Sequence, residues 1–270
     1  MQSNLNWDII ERPIFSNNTP LTNHKAIFRN DTNTLLNVAK TTYTPTNNQR
    51  FLEIVDKMQQ ITNFPIKCFD EFEGGKKVLA FLECTEPMKV LGYDFKDYML
   101  IGNSHDSSTG FFIGNSSIMA RCSNRFSKVF RQLQVHHTKN HDLKIDSLLK
   151  SFEIYNHERR ALFNQMELMQ KVYIDDAIKL ALVERLVNMT LEEKLGQVEL
   201  STRKINLISN INSCIDREYI DLGQNAFGLL QGITNYTTHV RNNSQKVFGN
   251  VLGGAARMNQ EAFSYCEALI

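Results

Sequence analysis

The stretch from His24 to Ile61, HKAIFRNDTNTLLNVAKTTYTPTNNQRFLEIVDKMQQI, contains the pattern that decides the fold class. Residues 24–45 predict two strands joined by a turn at residues 30–33, because Asn, Asp and Thr there separate two runs of apolar and β-branched side chains. Residues 47–61 predict a helix, since apolar residues recur at helical spacing at Phe51, Ile54, Val55 and Met58. A strand pair that leads into an amphipathic helix indicates an α+β protein.

The next part of the chain extends this pattern with more strands. Residues 65–84 predict a second hairpin, in which Gly74-Gly75 supplies the positive-φ turn. Residues 93–105 and 109–122 predict two further strands. We therefore expect the order β-β-α-β-β-β-β, followed by helices.

The remainder of the chain is predicted to be mainly helical. All five prolines fall within the first 87 residues, and proline is the residue that most strongly interrupts helices. A first helix is expected from about Ser123. Asp146 is a predicted N-cap for a long helix that reaches Met169, and Thr190 with Glu193 fits a capping box for another.

The expected fold class is α+β, with an N-terminal hairpin-rich antiparallel sheet with helices, followed by a mainly helical C-terminal half. A boundary near residue 143 gives an α+β sheet domain at 1–143 and a helical region at 144–270. The sequence leaves open whether these are two domains or one integrated domain, because 270 residues suffice for either.

Composition and charge exclude several classes of protein. The net charge is +1, so any attraction to nucleic acid must be local. No apolar run approaches the ~20 residues that span a bilayer, and the N-terminal residues do not form a signal peptide, so we expect a cytoplasmic protein without membrane contact. The five cysteines form no CxxC pair, which indicates reduced thiols and no structural zinc site. GNVLGGAAR lacks the spacing of a phosphate-binding loop, so no cofactor is predicted.

A row of cations is the strongest candidate for a binding site. Residues 121–141 contain five Lys and Arg residues and no Asp or Glu. On a helix, the first four of these cations fall within an arc of about 120°. Their mutual repulsion is expected where an anion such as a phosphate is bound. A solvated surface, or pairing with acids of the helical half, stays open as the alternative. The predicted nucleic-acid-binding residues are Arg121, Arg125, Lys128, Arg131 and Lys139.

Cysteine and histidine residues near this row allow an enzymatic alternative. Cys122 is a candidate nucleophile, with His105 or His137 as its base, because neighbouring arginines lower a thiol pKa. The opposite interpretation is that Cys122 is a small core residue. His137 and His141 have a spacing that can bind a metal, but Lys139 between them disfavours a divalent cation. We therefore predict no metal, and no catalytic residue unless the alternative set of Cys122, His105 and His137 applies.

Several motifs resemble the domain-of-unknown-function 932 family of phage- and plasmid-like proteins. The resemblance begins with WDIIERPIF and FRNDTNTLLNVAKTTYTPTNNQRF and continues through NSHDSS, ARCSNRF and HHTKN to NAFGLLQGITNYTTH at residues 225–239. Three positions depart from the family pattern. Ser107 stands where the family has glycine, Arg125 where it has threonine, and His136 where it has arginine.

The resemblance implies a phage or plasmid protein in a bacterial cytoplasm, and hence a role in DNA metabolism. The order of elements is also compatible with a Rad52/Redβ-like core, a comparison at the level of fold alone. The leading expectation is a non-enzymatic homo-oligomer that binds and anneals single-stranded DNA in recombination or replication. Tyr98, Phe111 and Phe112 would stack on bases if exposed. A Cys/His-dependent hydrolase or nuclease, and a phage protein-interaction or anti-defence module, are the alternatives.

Overall fold

The computed structural model describes residues 5–241 and 246–270, and this part of the chain contains nine strands and nine helices. The strands are β1 (Ile9–Ser16), β2 (Thr19–Arg29), β3 (Leu35–Lys40), β4 (Ile66–Phe72), β5 (Lys77–Glu83), β6 (Met88–Val90), β7 (Tyr93–Ser104), β8 (Phe111–Met119) and β9 (Arg125–Val135). The helices are α1 (Asn48–Thr62), α2 (His141–Leu148), α3 (Phe152–Met169), α4 (Asp176–Leu186), α5 (Leu191–Lys194), α6 (Thr202–Leu222), α7 (Ala226–Asn235), α8 (Lys246–Val251) and α9 (Gly254–Glu267).

The strands form two sheets. One has the order β1-β2-β3, and the other has the order β4-β5-β7-β8-β9, with β6 paired to β7. The pairings of β1 with β2, β2 with β3, β4 with β5 and β5 with β7 are antiparallel. The α+β class and the placement of most strands before the helices are therefore confirmed.

The local predictions around α1 are confirmed in detail. The β2–β3 hairpin pairs His24 with Lys40. Helix α1 begins after Asn47, whose side chain accepts a hydrogen bond from the Arg50 backbone N–H, and it buries its four apolar residues. In the β4–β5 hairpin, Gly74 and Gly75 have φ values of 70° and 96°.

The helix predicted from Ser123 is wrong, because residues 125–135 form strand β9. A tight turn precedes the strand: Ser123 has a φ of 58°, and the Met119 N–H donates to the Asn124 carbonyl at 3.0 Å. The segment SKVFRQLQV contains aromatic and β-branched residues that suit a strand. A short apolar run does not distinguish the 3.6-residue period of a helix from the two-residue period of a strand.

Asp146 does not begin a helix as predicted. Helix α2 starts at His141, with Asn140 at its N-cap, and α3 follows from Phe152. Asp146 lies inside α2, where it accepts a hydrogen bond from the Arg50 guanidinium at 2.6 Å. Asp146 is therefore used in a contact with a residue distant in sequence, and not as the helix cap that local rules predict. The capping box of Thr190 and Glu193 is confirmed, although the helix it begins, α5, is only four residues long.

The described residues pack into two compact units. Unit 1 comprises the residues up to Glu86 together with Asp97–Asn115 and Val129–Arg159, and unit 2 comprises Pro87–Lys96, Ser116–Lys128 and the residues from Arg160 onward. The division at residue 143 describes the change from strands to helices along the chain, and it stays a prediction as a domain boundary. No helix in the described ranges is both long enough and apolar enough to cross a membrane.

Each unit has its own apolar core. In unit 1, the buried face of α1 packs with apolar residues of β5, β7 and β8, such as Leu82, Ile101 and Phe111. In unit 2, the core is formed mainly by α3, α4, α6, α7 and α9. Helices α6 and α7 approach closely at Gly232, where a Cβ atom would lie 2.5 Å from the Cα of Ile215.

The hairpin between β6 and β7 generates the first prediction. Leu91 and Gly92 form a two-residue turn with φ values of 53° and 76°, and leucine is strained in this region whereas Asn-Gly is preferred. We expect Leu91→Asn to raise the free energy of unfolding by about 0.5–1 kcal/mol. The matched control, Leu143→Asn at an exposed position of helix α2, should lower it by a few tenths of a kcal/mol. Urea unfolding followed by circular dichroism measures both, and equal shifts would contradict the backbone explanation.

Candidate functional site

The motif NSHDSS ends β7 in unit 1 and forms the turn to β8. The Asn103 amide donates to the Thr46 carbonyl at 2.9 Å, and the Ser104 hydroxyl donates to the Thr109 carbonyl at 2.5 Å. Ser107 has a φ of 62°, a conformation that favours glycine. This backbone conformation explains why the family that the sequence resembles has glycine at the position of Ser107.

His105 has no exposed surface, as is also true of Asn103 and Ser104 in this motif. Its Nε2 lies 3.0 Å from Oδ1 of Asn48, whose amide donates to the Trp7 carbonyl at 3.0 Å. The Trp7 ring meets the imidazole edge-on at 5.6 Å. Burial lowers the pKa of His105 to about 3. His105 therefore joins α1 to the N-terminal segment as a neutral, solvent-inaccessible side chain.

A pocket of about 310 Å³ opens beside this motif in unit 1. It is lined by Tyr43, Ser107, Ser108, Thr109, Gly110, Gln134, His136 and His137, and we call it the Tyr43 pocket. The Tyr43 hydroxyl donates to the Ser104 carbonyl at 3.0 Å, and burial raises its pKa to about 12. Three separate stretches of sequence supply these residues, so only the folded chain brings them together.

His137 lines this pocket with only 8% of its surface exposed. Its ring lies edge-on to Tyr43 at 5.3 Å and to His141 at 5.7 Å. Neither ring nitrogen forms a hydrogen bond of good geometry with another described residue, although the nearby Thr44 backbone acts to raise the pKa of the ring. Burial, and then the neighbouring His141, lower the pKa of His137 to about 4. Among residues 5–241 and 246–270, no group of three or more His, Cys, Asp or Glu side chains is placed to hold a metal ion.

Cys122 lies in unit 2, whereas both of its predicted bases lie in unit 1. The residue is half-buried, and burial raises the pKa of its thiol to about 11. Its carbonyl oxygen lies 3.0 Å from Nε2 of His239. A thiol with this pKa is protonated at neutral pH, which makes it a poor nucleophile.

The motifs ARCSNRF and NAFGLLQGITNYTTH meet in unit 2 around a buried carboxylate. Glu218 of α6 accepts hydrogen bonds from the Asn124 amide at 3.0 Å and from the Asn235 amide at 2.7 Å. The backbone N–H of Arg125 donates to the Thr238 hydroxyl at 3.1 Å. These contacts fix the turn before β9 against α6 and α7.

The five predicted phosphate ligands differ in their surroundings. Arg121 forms an ion pair with Asp221. Lys128 lies over the Phe263 ring, with its Nζ 4.5 Å from the ring centroid. Arg125 is half-buried on β9, whereas Arg131 and Lys139 are exposed. Since β9 is a strand, the arc of cations predicted on a helix is not formed.

The aromatic residues predicted to stack on bases are largely inaccessible. Phe111 and Phe112 have no exposed surface, so stacking on these two rings is excluded. Tyr98 is half-buried and lies edge-on to Phe81 at 6.4 Å. The two phenylalanines are core residues of β8.

A larger cavity in unit 2 contains residues that sequence reasoning missed. It has a volume of about 900 Å³, and its charged lining consists of Arg203, Arg241, Arg257 and Glu261. We call it the arginine cavity. Glu261 pairs with Arg185 at 2.6 Å, but within the described ranges none of the three lining arginines has an acidic partner. The three lie far apart in the sequence, so no local motif marks them.

Of the comparisons with known proteins, the one with family models gives a match. The model of the family described as "Domain of unknown function (DUF932)" matches residues 35–268. No curated protein and no solved structure matches the chain.

Two buried histidines of unit 1, His105 and His137, predict a pH-dependent stability. Their folded-state pKa values lie below the ordinary value of about 6.5, so the unfolded chain takes up protons first and stability falls as the pH drops from about 6.5 towards 3. We expect the free energy of unfolding to be about 2 kcal/mol lower at pH 5 than at pH 8 for each such histidine.

Chemical denaturation at several pH values measures this effect. The variant His105→Gln should lose a large part of the pH dependence, and His24→Gln, which changes an exposed histidine, should retain it. An unchanged pH profile in His105→Gln would contradict the assignment.

Proposed function

Because the chain belongs to the family described as Domain of unknown function (DUF932), whose description names no activity, we propose a function from the geometry: the protein binds single-stranded nucleic acid through the arginine cavity. The observation that carries the proposal is the convergence of Arg203, Arg241 and Arg257 on one cavity without acidic partners in the described part of the chain. Elsewhere in unit 2, cations such as Lys179, Lys194 and Lys204 pair with carboxylates.

The positions of these arginines on their helices strengthen the proposal. Arg203 lies in the first turn of α6, and Arg257 lies near the start of α9. An Nη of Arg241 is 2.9 Å from the position of a Cβ on Gly254, the first residue of α9. The N-terminal end of a helix carries partial positive charge and disfavours cations. A bound phosphate would relieve this repulsion and also accept hydrogen bonds from the guanidinium groups.

The remaining lining residues suit a nucleic-acid strand better than an isolated phosphate ion. Asn188, Asn206 and Asn210 provide carboxamides, and Tyr236 provides an aromatic ring. Such groups contact sugars and bases in single-stranded complexes. A volume of about 900 Å³ also exceeds what one phosphate occupies.

The proposal extends to the biological role and the assembly of the protein. The family resemblance supports a phage or plasmid protein with a role in DNA metabolism. The fold-level comparison with a Rad52/Redβ-like core supports a homo-oligomer that anneals DNA in recombination or replication. Arg131 and Lys139 of unit 1 are retained as further phosphate contacts because both are exposed. We propose binding without catalysis, because burial raises the pKa of the Cys122 thiol to about 11 and so disfavours the thiolate at neutral pH.

Neutralising the cavity tests this proposal directly. The double variant Arg203→Gln/Arg257→Gln should raise the Kd for a labelled single-stranded oligonucleotide at least about tenfold at low salt. Each lost phosphate contact should also reduce the salt slope, d log K/d log [salt], by about 0.7. Fluorescence anisotropy at several salt concentrations measures both quantities.

Arg217→Gln is the matched control, because Arg217 is an exposed arginine of α6 that does not line the cavity. It should leave affinity and slope close to those of the wild type. If the double variant binds as tightly as the control, the arginine cavity is not the binding site.

A further inference from the structure

The Tyr43 pocket has a chemical character opposite to that of the arginine cavity. None of its eight lining residues is an Asp, Glu, Lys or Arg. Next to Ser107, Asp106 forms an ion pair with Lys77 at 3.1 Å, and Lys77 also pairs with Glu73 at 2.5 Å. A phosphate would find no cation in this lining, so the pocket is suited to an uncharged ligand.

The walls of the pocket are held in place by hydrogen bonds. The Thr109 N–H donates to the Ser104 hydroxyl at 3.2 Å, and the Asn37 amide donates to the Ser107 hydroxyl at 2.7 Å. At Gly110 the backbone lies against the Val135 carbonyl so closely that a Cβ atom would not fit. A ligand therefore enters a preformed site and does not have to order a loop.

Two side chains of the lining have hydrogen-bonding capacity for a ligand. His137 is buried, and neither ring nitrogen forms a hydrogen bond of good geometry with another described residue, which is unfavourable for a polar group. Gln134 contributes a carboxamide that is both donor and acceptor. The aromatic rings of Tyr43, His136 and His137 supply surfaces for a flat ligand.

We propose that the Tyr43 pocket binds an uncharged nucleobase, with the ring of the base against the aromatic side chains and its polar edge towards Gln134 and His137. A nucleobase is flat and presents donors and acceptors side by side in its plane. A volume of about 310 Å³ lies at the lower end of the range for ligand pockets, which fits one base or nucleoside. The inference goes beyond the proposed function and does not depend on the arginine cavity.

Titration of the full chain with free nucleosides tests the inference without any phosphate. Isothermal titration calorimetry should show saturable binding of at least one nucleoside, with a Kd on the order of 1 mM. Ribose and deoxyribose should not bind. Equal binding of ribose would overturn the nucleobase assignment in favour of a sugar site, and no saturable binding of any nucleoside would overturn the site altogether.

Two glutamines of β9 provide a matched pair of variants. Gln134→Ala should weaken nucleoside binding about three- to tenfold, because it removes a neutral donor and acceptor. Gln132→Ala should have no effect, since Gln132 is exposed and donates to Glu158 at 3.1 Å. Gln134→Asn, which retains the amide on a shorter side chain, should lose part of the affinity. Equal affinity of the Gln134→Ala and Gln132→Ala variants would contradict the proposed contact.

The experiments distinguish failure of the nucleobase proposal for the Tyr43 pocket from failure of the nucleic-acid proposal for the arginine cavity. If nucleosides do not bind while the arginine variants lose oligonucleotide affinity, only the nucleobase pocket is overturned. If nucleosides bind and respond to Gln134→Ala while the arginine variants retain oligonucleotide affinity, only the arginine cavity is overturned.

Discussion

The structure of unit 2 depends on a carboxylate buried away from water. Glu218 has 4% of its surface exposed, and a buried charge of this kind is costly unless hydrogen bonds satisfy it. The amides of Asn124 and Asn235 supply those bonds. One side chain thereby ties the turn before β9 to α6 and α7. Helix α6 also carries Arg203, and the chain after α7 leads to Arg241, so this network fixes elements that shape the arginine cavity.

Buried polar side chains are joined by hydrogen bonds in unit 1 as well. In unit 1, Nε2 of His105 is hydrogen-bonded to Oδ1 of Asn48, and the Asn48 amide donates to the Trp7 carbonyl. These side chains make structural hydrogen bonds within the protein, although their motifs first attract attention as candidate catalytic sites. The arginines of the cavity and His137 differ from these structural residues. Within the described residues, the arginines of the cavity have no acidic partner and the His137 ring nitrogens have no hydrogen bond of good geometry, and we propose that ligands act on these groups.

Local signals in the sequence predict much of the fold but little of the site. Helix α1 is predictable because its cap at Asn47 and its apolar face lie within one short stretch. Strand β9 is not, because its spacing of cations and apolar residues fits a helix as well, and pairing in the sheet decides between them. Both pockets consist of residues from distant segments, and a single sequence contains no signal that joins Arg203 to Arg257 or Tyr43 to Gln134.

The central claim is that phosphates of a nucleic-acid strand lie on the arginines of the cavity, and chemical footprinting tests it most directly. Arginine residues are modified with phenylglyoxal in the presence and absence of a single-stranded oligonucleotide, and the modified peptides are quantified by mass spectrometry. We expect the oligonucleotide to protect Arg203, Arg241 and Arg257 and to leave Arg217 as reactive as before. Protection confined to other arginines, under conditions where the oligonucleotide is bound, would contradict the claim.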